Sequence, residues 1–137
     1  MDTERRRATY EDLLQVPDHL VAAVVNGELI TAARPASAHT RAASALTQDL
    51  GPFHRSKGGP SSWSTLFKPE LHLDSDILVP DLAGWRRERI PVLEDVPYFT
   101  QAPDWVCEIV SPLNCTNRPS QKNAHLRQRA SWLFMAR

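Results

Sequence analysis

The chain has 137 residues, 42% of them apolar and 23% charged, with a formal net charge of zero, which suits one globular domain with a modest core. No apolar run approaches the roughly 20 residues of a membrane span, and the N-terminal stretch MDTERRRATY lacks the apolar core of a secretory signal. We therefore expect a cytoplasmic protein. Its two cysteines, Cys107 and Cys115, match no zinc-binding spacing and are expected to be reduced thiols.

The charge is unevenly distributed along the chain. Residues 1–112 hold eleven basic and sixteen acidic side chains, a net charge of −5, whereas residues 113–137 hold five basic side chains and no acidic one. An acidic body is a poor electrostatic footprint for tight nucleic-acid binding. The abrupt change near Pro112 marks a break in the pattern of the chain.

The first predicted element is a short helix over about residues 9–15, with Thr9 as its N-cap and acidic residues in its first turn. Two β-rich runs follow around Asn26-Gly27. This pair predicts a hairpin, because a type I′ turn needs positive φ at both central residues. The next stretch, SAHTRAASALTQDLGPF, has apolar residues near helical spacing. We expect a helix that has Ser37 as its N-cap and ends at Gly51-Pro52.

The second half is dominated by strands. WSTLFKPELHL alternates between apolar and polar residues, and DILVPDLAGW contains a short buried strand that runs into Pro80-Asp81. A loop-rich crossover leads to DWVCEIVS, a tightly alternating strand that ends at Ser111-Pro112. The pattern predicts an α/β protein with a mixed β-sheet flanked by helices.

Two acidic residues stand in apolar strand contexts. Asp81 follows ILVP and Glu108 lies inside WVCEIV, and acids are rarely buried without a partner or a metal. If the two strands are neighbours, the carboxylates converge and supply the hard oxygen ligands that Mg²⁺ prefers. The alternative is an acid at a sheet edge, solvated or paired with arginine, and the pattern alone leaves both open.

Three further residues are candidates for the same rim. Glu28 follows the Asn-Gly turn and Glu70 lies in KPELHL; each is an accessory acid of the site or an exposed hairpin acid. His39 stands near the start of the second helix, where it either faces a phosphate from the helix N-terminus or lies solvated on the surface.

Taken in order, five stretches resemble the Uma-two family of bacterial endonucleases, which has the restriction-endonuclease-like PD-(D/E)xK fold. The stretches are TYEDLLQVPD, VVNGELITAARPASAHTRAASALTQDL, ELHL, ILVPDLAGWRRERIP and APDWVCEIVSP, and they cover about residues 9–112. The resemblance implies that Asp81 and Glu108 are the catalytic, metal-binding acids, with Mg²⁺ or Mn²⁺ as cofactor and DNA as substrate. It matches Glu28 to the Gly-Glu-Leu acid of the family and His39 to its helix-start histidine.

The resemblance stops after Pro112. Val110 stands where many members of the superfamily carry a lysine, and the Uma-two family supplies its lysine from a following helix that this sequence does not show. In the next reading frame, the genetic code turns Trp132 into Gly and Met135 into Trp without exception, as the closing strand of the family requires. We therefore predict a truncated core over residues 1–112 and an aberrant, frameshifted tail over residues 113–137.

Lys122 occupies the position of the catalytic lysine by count, but Pro119 argues against a well-formed helix there. The family resemblance implies a metal-dependent endonuclease that hydrolyses phosphodiester bonds. The altered tail predicts that this activity is impaired. The alternative is a non-enzymatic remnant or an association module of the same fold, which the acidic body favours. A sheet without its last strand would expose an open edge, so we also expect a homodimer.

Overall fold

The structure is a computed structural model, and it describes residues 6–34, 37–55, 62–109 and 132–136. Two helices and eight strands lie in these ranges. In chain order they are α1 (Tyr10–Leu14), β1 (Leu20–Val25), β2 (Glu28–Ala33), α2 (Ser37–Arg55), β3 (Trp63–Phe67), β4 (Leu71–Leu73), β5 (Asp76–Leu78), β6 (Leu82–Arg86), β7 (Trp105–Ile109) and β8 (Trp132–Ala136). Within the described ranges, neither helix is both long and apolar enough to cross a membrane.

The predicted N-terminal helix and the predicted hairpin are both confirmed. Thr9 is the N-cap of α1 and forms a capping box with Asp12, whose carboxylate accepts the Thr9 N–H at 2.8 Å. Asn26 and Gly27, with φ of 52° and 79°, connect β1 to β2 in an antiparallel hairpin. Local turn and capping chemistry therefore sets both elements.

Helix α2 runs from Ser37 to Arg55, so Ser37 is its first residue and not its N-cap, and the predicted end at Gly51-Pro52 is wrong. Pro52 lies within the last turn, where its ring removes a single helical hydrogen bond. Contacts from outside the helix stabilise that turn. The Nδ1 atom of His54 accepts the Thr65 N–H at 3.1 Å, and the guanidinium of Arg87 donates to the His54 carbonyl oxygen.

The strands divide into two four-stranded sheets. The first has the order β2-β1-β5-β4 and its pairs are antiparallel; the second has the order β3-β6-β7-β8 and is mixed, because β7 and β8 are parallel. The predicted class, a mixed α/β fold with flanking helices, is confirmed. The run WSTLFKPELHL spans both sheets, with β3 in the second and β4 in the first, since Lys68 turns the chain with a φ of 47°.

The core lies where residues of both sheets meet. Its most deeply buried members include Leu71 and Leu78 of the first sheet and Ala83, Trp85 and Val106 of the second, each fully buried. These apolar side chains fix how the two sheets are placed, and so they fix the end of the second sheet where Asp81 and Glu108 lie.

Strand β8 lies within the region predicted to be aberrant. Trp132–Ala136 pairs in parallel with β7 over five residues, so residues of the predicted tail cover the edge of β7 that a truncated sheet would leave open. The apolar run WLFMA supplies a strand-forming sequence despite the change in charge. The homodimer stays a prediction. Residues 110–131 lie outside the described ranges, and the frameshift stays a prediction.

A candidate active site at the end of three strands

The pairing of the second sheet aligns three charged residues at one end. Phe67 of β3 pairs with Leu82 of β6, and Leu82 pairs with Cys107 of β7. Continuing both antiparallel registers by one residue places Lys68, Asp81 and Glu108 side by side across the three strands. Directly opposite residues of antiparallel strands project from the same face. The register therefore places the two predicted acids next to each other, with Asp81 in the centre.

Both acids are buried. Asp81 exposes 3% of its surface and Glu108 7%. The Oδ2 atom of Asp81 accepts the backbone N–H of Ile109 at 2.8 Å, which links the first acid to the strand that carries the second. Since a strand backbone donates this hydrogen bond, the Asp81 carboxylate is held in a fixed orientation.

His39 contacts the other oxygen of Asp81. Its Nε2 atom lies 3.1 Å from Oδ1, and its side chain is only 12% exposed. The third residue of α2 therefore packs onto the end of the second sheet. Of the two interpretations left open by the sequence, the solvated surface histidine does not fit this burial, and a histidine that faces a phosphate stays a prediction.

Lys68 is a site residue that the sequence analysis missed. Its Nζ atom lies 3.2 Å from Oδ1 of Asp81, and its backbone N–H donates to the Asp81 carbonyl oxygen at 3.0 Å. A φ of 47° in a residue with a side chain costs about 1–2 kcal/mol, and a following proline further disfavours departure from extended backbone. The unusual conformation is held by two contacts to the same residue, Asp81.

The two predicted accessory acids lie at the start of β2 and just before β4. Glu28 is exposed at the start of β2, beside the hairpin turn of the first sheet. Glu70 directs its carboxylate to His72, with 2.7 Å between Oε1 and Nε2, and it also hydrogen-bonds the side chain of Tyr10. Their accessory role at the site stays a prediction. So does the catalytic role of Lys122, which lies outside the described residues.

The side chains at the end of the second sheet are of the chemical type that binds a divalent cation. Two buried carboxylates on neighbouring strands are the ligands that Mg²⁺ and Mn²⁺ prefer. The described ranges contain no group of three or more histidine, cysteine or acidic side chains arranged as metal ligands. The positive charge that the structure records at Asp81 is the ammonium group of Lys68.

Comparisons with known proteins agree with the fold. The family model Uma2, described as "Putative restriction endonuclease", matches residues 8–130. A crystal structure described as a "putative nuclease belonging to DUF820" from Anabaena variabilis ATCC 29413 superposes with a TM-score of 0.69. The match has 20% sequence identity and covers 93% of this chain and 74% of that one. The comparison with curated proteins finds no match. Because the family model spans most of its length, this chain belongs to the Uma2 family, as the resemblance over residues 9–112 implied.

Proposed function

We propose that this protein is a metal-dependent nuclease that hydrolyses phosphodiester bonds in nucleic acid, at the site formed by Asp81 and Glu108. The observation that carries the proposal is the alignment of two buried acids across β6 and β7, with His39 and Lys68 on the first of them. Membership of a family described as "Putative restriction endonuclease" supports the same chemistry.

The residues of the chain bind and orient in this scheme. Asp81 and Glu108 hold Mg²⁺ or Mn²⁺, which when bound supplies positive charge to the phosphate and lowers the pKa of a water ligand. The Ile109 N–H and the His39 ring keep the Asp81 carboxylate in place, so that little reorganisation is needed when substrate binds.

The net reaction is hydrolysis without redox change. A water oxygen forms a new bond to phosphorus while the bond from phosphorus to the leaving sugar oxygen breaks. The attacking water gives up one proton and the leaving oxygen takes one up. Impairment of this reaction by the altered tail is part of the proposal, because Lys122 follows Pro119 in a stretch that does not read as a helix.

The test is a cleavage assay on labelled single-stranded and double-stranded DNA with Mg²⁺ or Mn²⁺. Asp81→Asn and Glu108→Gln are expected to lower the rate by about a hundredfold or more, because each removes a charged ligand at the reacting phosphate. Asp95→Asn and Glu94→Gln make the same chemical changes at exposed positions of the crossover loop and are expected to have no effect. Equal rates in all five proteins would contradict the proposal.

The second candidate is a non-enzymatic association module, which the net charge of −5 over residues 1–112 favours. It predicts no cleavage by any variant under any condition, together with a dimer or larger species. Light scattering at several protein concentrations measures the second property independently of activity. A monomer that cleaves DNA would exclude this candidate, and a homodimer that cleaves DNA would fit the first.

A further inference from the structure

Lys68 is a partner of the Asp81 carboxylate that reaches solvent. His39 is 12% exposed at its side chain and the Ile109 N–H is buried, whereas the Lys68 side chain is 30% exposed. The Lys68 side chain therefore extends from the surface to a carboxylate that is itself 4% exposed. Its ammonium group can therefore meet both the acid and a substrate arriving from solvent.

The backbone around Lys68 keeps the side chain at this place. Residue 68 follows directly after β3, opposite Asp81, and its N–H is bonded to the Asp81 carbonyl oxygen. The left-handed φ of 47° turns the chain out of β3 while the ammonium group stays on Oδ1. Strained backbone of this kind persists where the surrounding contacts over-determine it, and it is common at functional sites.

The ammonium group also lies near an aromatic ring. Nζ lies 5.7 Å from the centroid of the Phe67 ring, and Phe67 is 52% exposed. Lysine has a flexible four-carbon stem, so its charge can leave one partner for another without movement of the backbone. Departure from Oδ1 therefore leaves the charge at the mouth of the site.

We propose that Lys68 is a catalytic residue of the nuclease site, a role that rests on the function proposed above. Its ammonium group neutralises Asp81 at Oδ1. With a divalent cation held by Asp81 and Glu108, the Lys68 ammonium group would leave this oxygen and bind the phosphate, where it would stabilise the negative charge of the transition state. Lys68 thus supplies from the end of β3 the lysine that the family resemblance assigns to a position after Pro112.

This role has two consequences of opposite sign. Lys68 competes with the metal for Oδ1, so Lys68→Met is expected to bind Mn²⁺ roughly two- to fivefold more tightly, the range for loss of a partly exposed ion pair. The same variant is expected to cleave DNA about a hundredfold more slowly at saturating Mn²⁺, as when one preorganised donor to a developing charge is removed. The tighter binding tests the competition for Oδ1, and the slower cleavage at saturating Mn²⁺ tests the contact with the phosphate.

The experiment measures Mn²⁺ affinity by titration calorimetry and the cleavage rate at saturating Mn²⁺ for the full chain and its variants. Lys68→Arg keeps the charge and is expected to restore part of the rate. Arg6→Met removes one positive charge from a surface ion pair with Asp12 and is expected to change neither quantity. Asp81→Asn identifies the heat that comes from this site.

The outcomes separate the two proposals. Tighter Mn²⁺ binding with slower cleavage in Lys68→Met supports the role of Lys68. Binding that depends on Asp81, with unchanged cleavage in Lys68→Met, overturns that role and leaves the nuclease proposal intact. Weaker Mn²⁺ binding with a lower melting temperature assigns Lys68 to structure alone and likewise overturns the role. No binding and no cleavage by the unaltered protein overturns both proposals.

Discussion

Two histidine–carboxylate pairs in this molecule have similar contacts and different surroundings. His39 lies 3.1 Å from Asp81, with side chains 12% and 4% exposed. His72 lies 2.7 Å from Glu70, with side chains 16% and 23% exposed. The distances alone do not distinguish a site from a structural contact, and the neighbours of each pair do.

The surroundings of His72 are aromatic. Its ring stacks on Tyr98 with 3.7 Å between centroids and 7° between planes, and Tyr10 meets it edge-on at 4.8 Å. We call Tyr10, Glu70, His72 and Tyr98 the aromatic cluster. Its members come from α1, from β4 and the residue before it, and from the crossover loop, and a backbone bond from the His72 N–H to the Phe99 carbonyl oxygen ties the last two together.

The surroundings of His39 are charged. Lys68 shares Oδ1 of Asp81 with it, and Glu108 follows on the next strand. A histidine–carboxylate pair surrounded by aromatic rings therefore stabilises loops. The same kind of pair beside a second acid and a cation forms a candidate site. Each of the following predictions separates the two regions by experiment, from the largest expected effect to the smallest.

His39→Ala is expected to lower cleavage of DNA by about a hundredfold, because a carboxylate displaced by ~1 Å loses that much rate. His72→Ala is expected to leave the rate per folded molecule unchanged, since its partners are the aromatic cluster. Both rates are measured at saturating Mn²⁺, with the folded fraction determined by circular dichroism. Equal losses in the two variants would show that the two pairs are not functionally distinct.

Gly84→Ala tests how far the candidate site depends on close packing of β6 against β7. A Cβ atom at residue 84 would lie 2.3 Å from the indole ring of Trp105, its partner across the strands. We expect unfolding to become easier by about 1–3 kcal/mol, as in overpacked cores, together with slower cleavage. Urea denaturation measures the first effect, and an unchanged midpoint would contradict the described packing.

Tyr98→Leu removes the ring that stacks on His72 and keeps an apolar side chain in its place. The loss of stacking is expected to cost about 0.5–1.5 kcal/mol of stability. Cleavage by the folded protein should remain the same, because Tyr98 lies in the aromatic cluster and not beside Asp81. A loss of rate without a loss of stability would move the aromatic cluster into the catalytic machinery.

Tyr10→Phe is expected to change the alkaline limit of stability. Burial first, and then the charge and hydrogen bond of Glu70, raise the pKa of Tyr10 above its ordinary value of 10.0. The folded pKa exceeds the unfolded one, so this contribution is fully present below about pH 10 and is lost as pH rises through the folded pKa. Urea midpoints should therefore fall less steeply above that pH in Tyr10→Phe than in the unaltered chain. Parallel curves would contradict the prediction.

Local chemistry made part of the fold readable in the sequence. Thr9 and Asn26-Gly27 carry their structural signals within a few residues, and both predictions are confirmed. The end of α2 could not be read in this way, because the partners of His54 lie in β3 and beyond β6. Secondary structure that depends on distant contacts leaves no local pattern.

The same limit applies to the candidate site. Asp81 and Glu108 were identifiable because acids in apolar strands are rare. Lys68 was not, since its partner lies 13 residues away and only the β3–β6 register brings the two together. A residue before proline usually has extended backbone, and only the observed φ shows that Lys68 departs from it. The two acids could therefore be predicted from residue type. The lysine beside them could be found only from the strand register.

The position of a bound cation tests the central claim most directly. Crystals soaked in Mn²⁺ and measured at the manganese absorption edge would locate the metal without reference to activity. We predict one anomalous peak between the carboxylates of Asp81 and Glu108, with oxygen–metal distances of about 2.0–2.6 Å and the Lys68 ammonium group displaced from Oδ1. A peak at Glu70 and His72, or acid side chains on opposite faces of the sheet, would contradict the account.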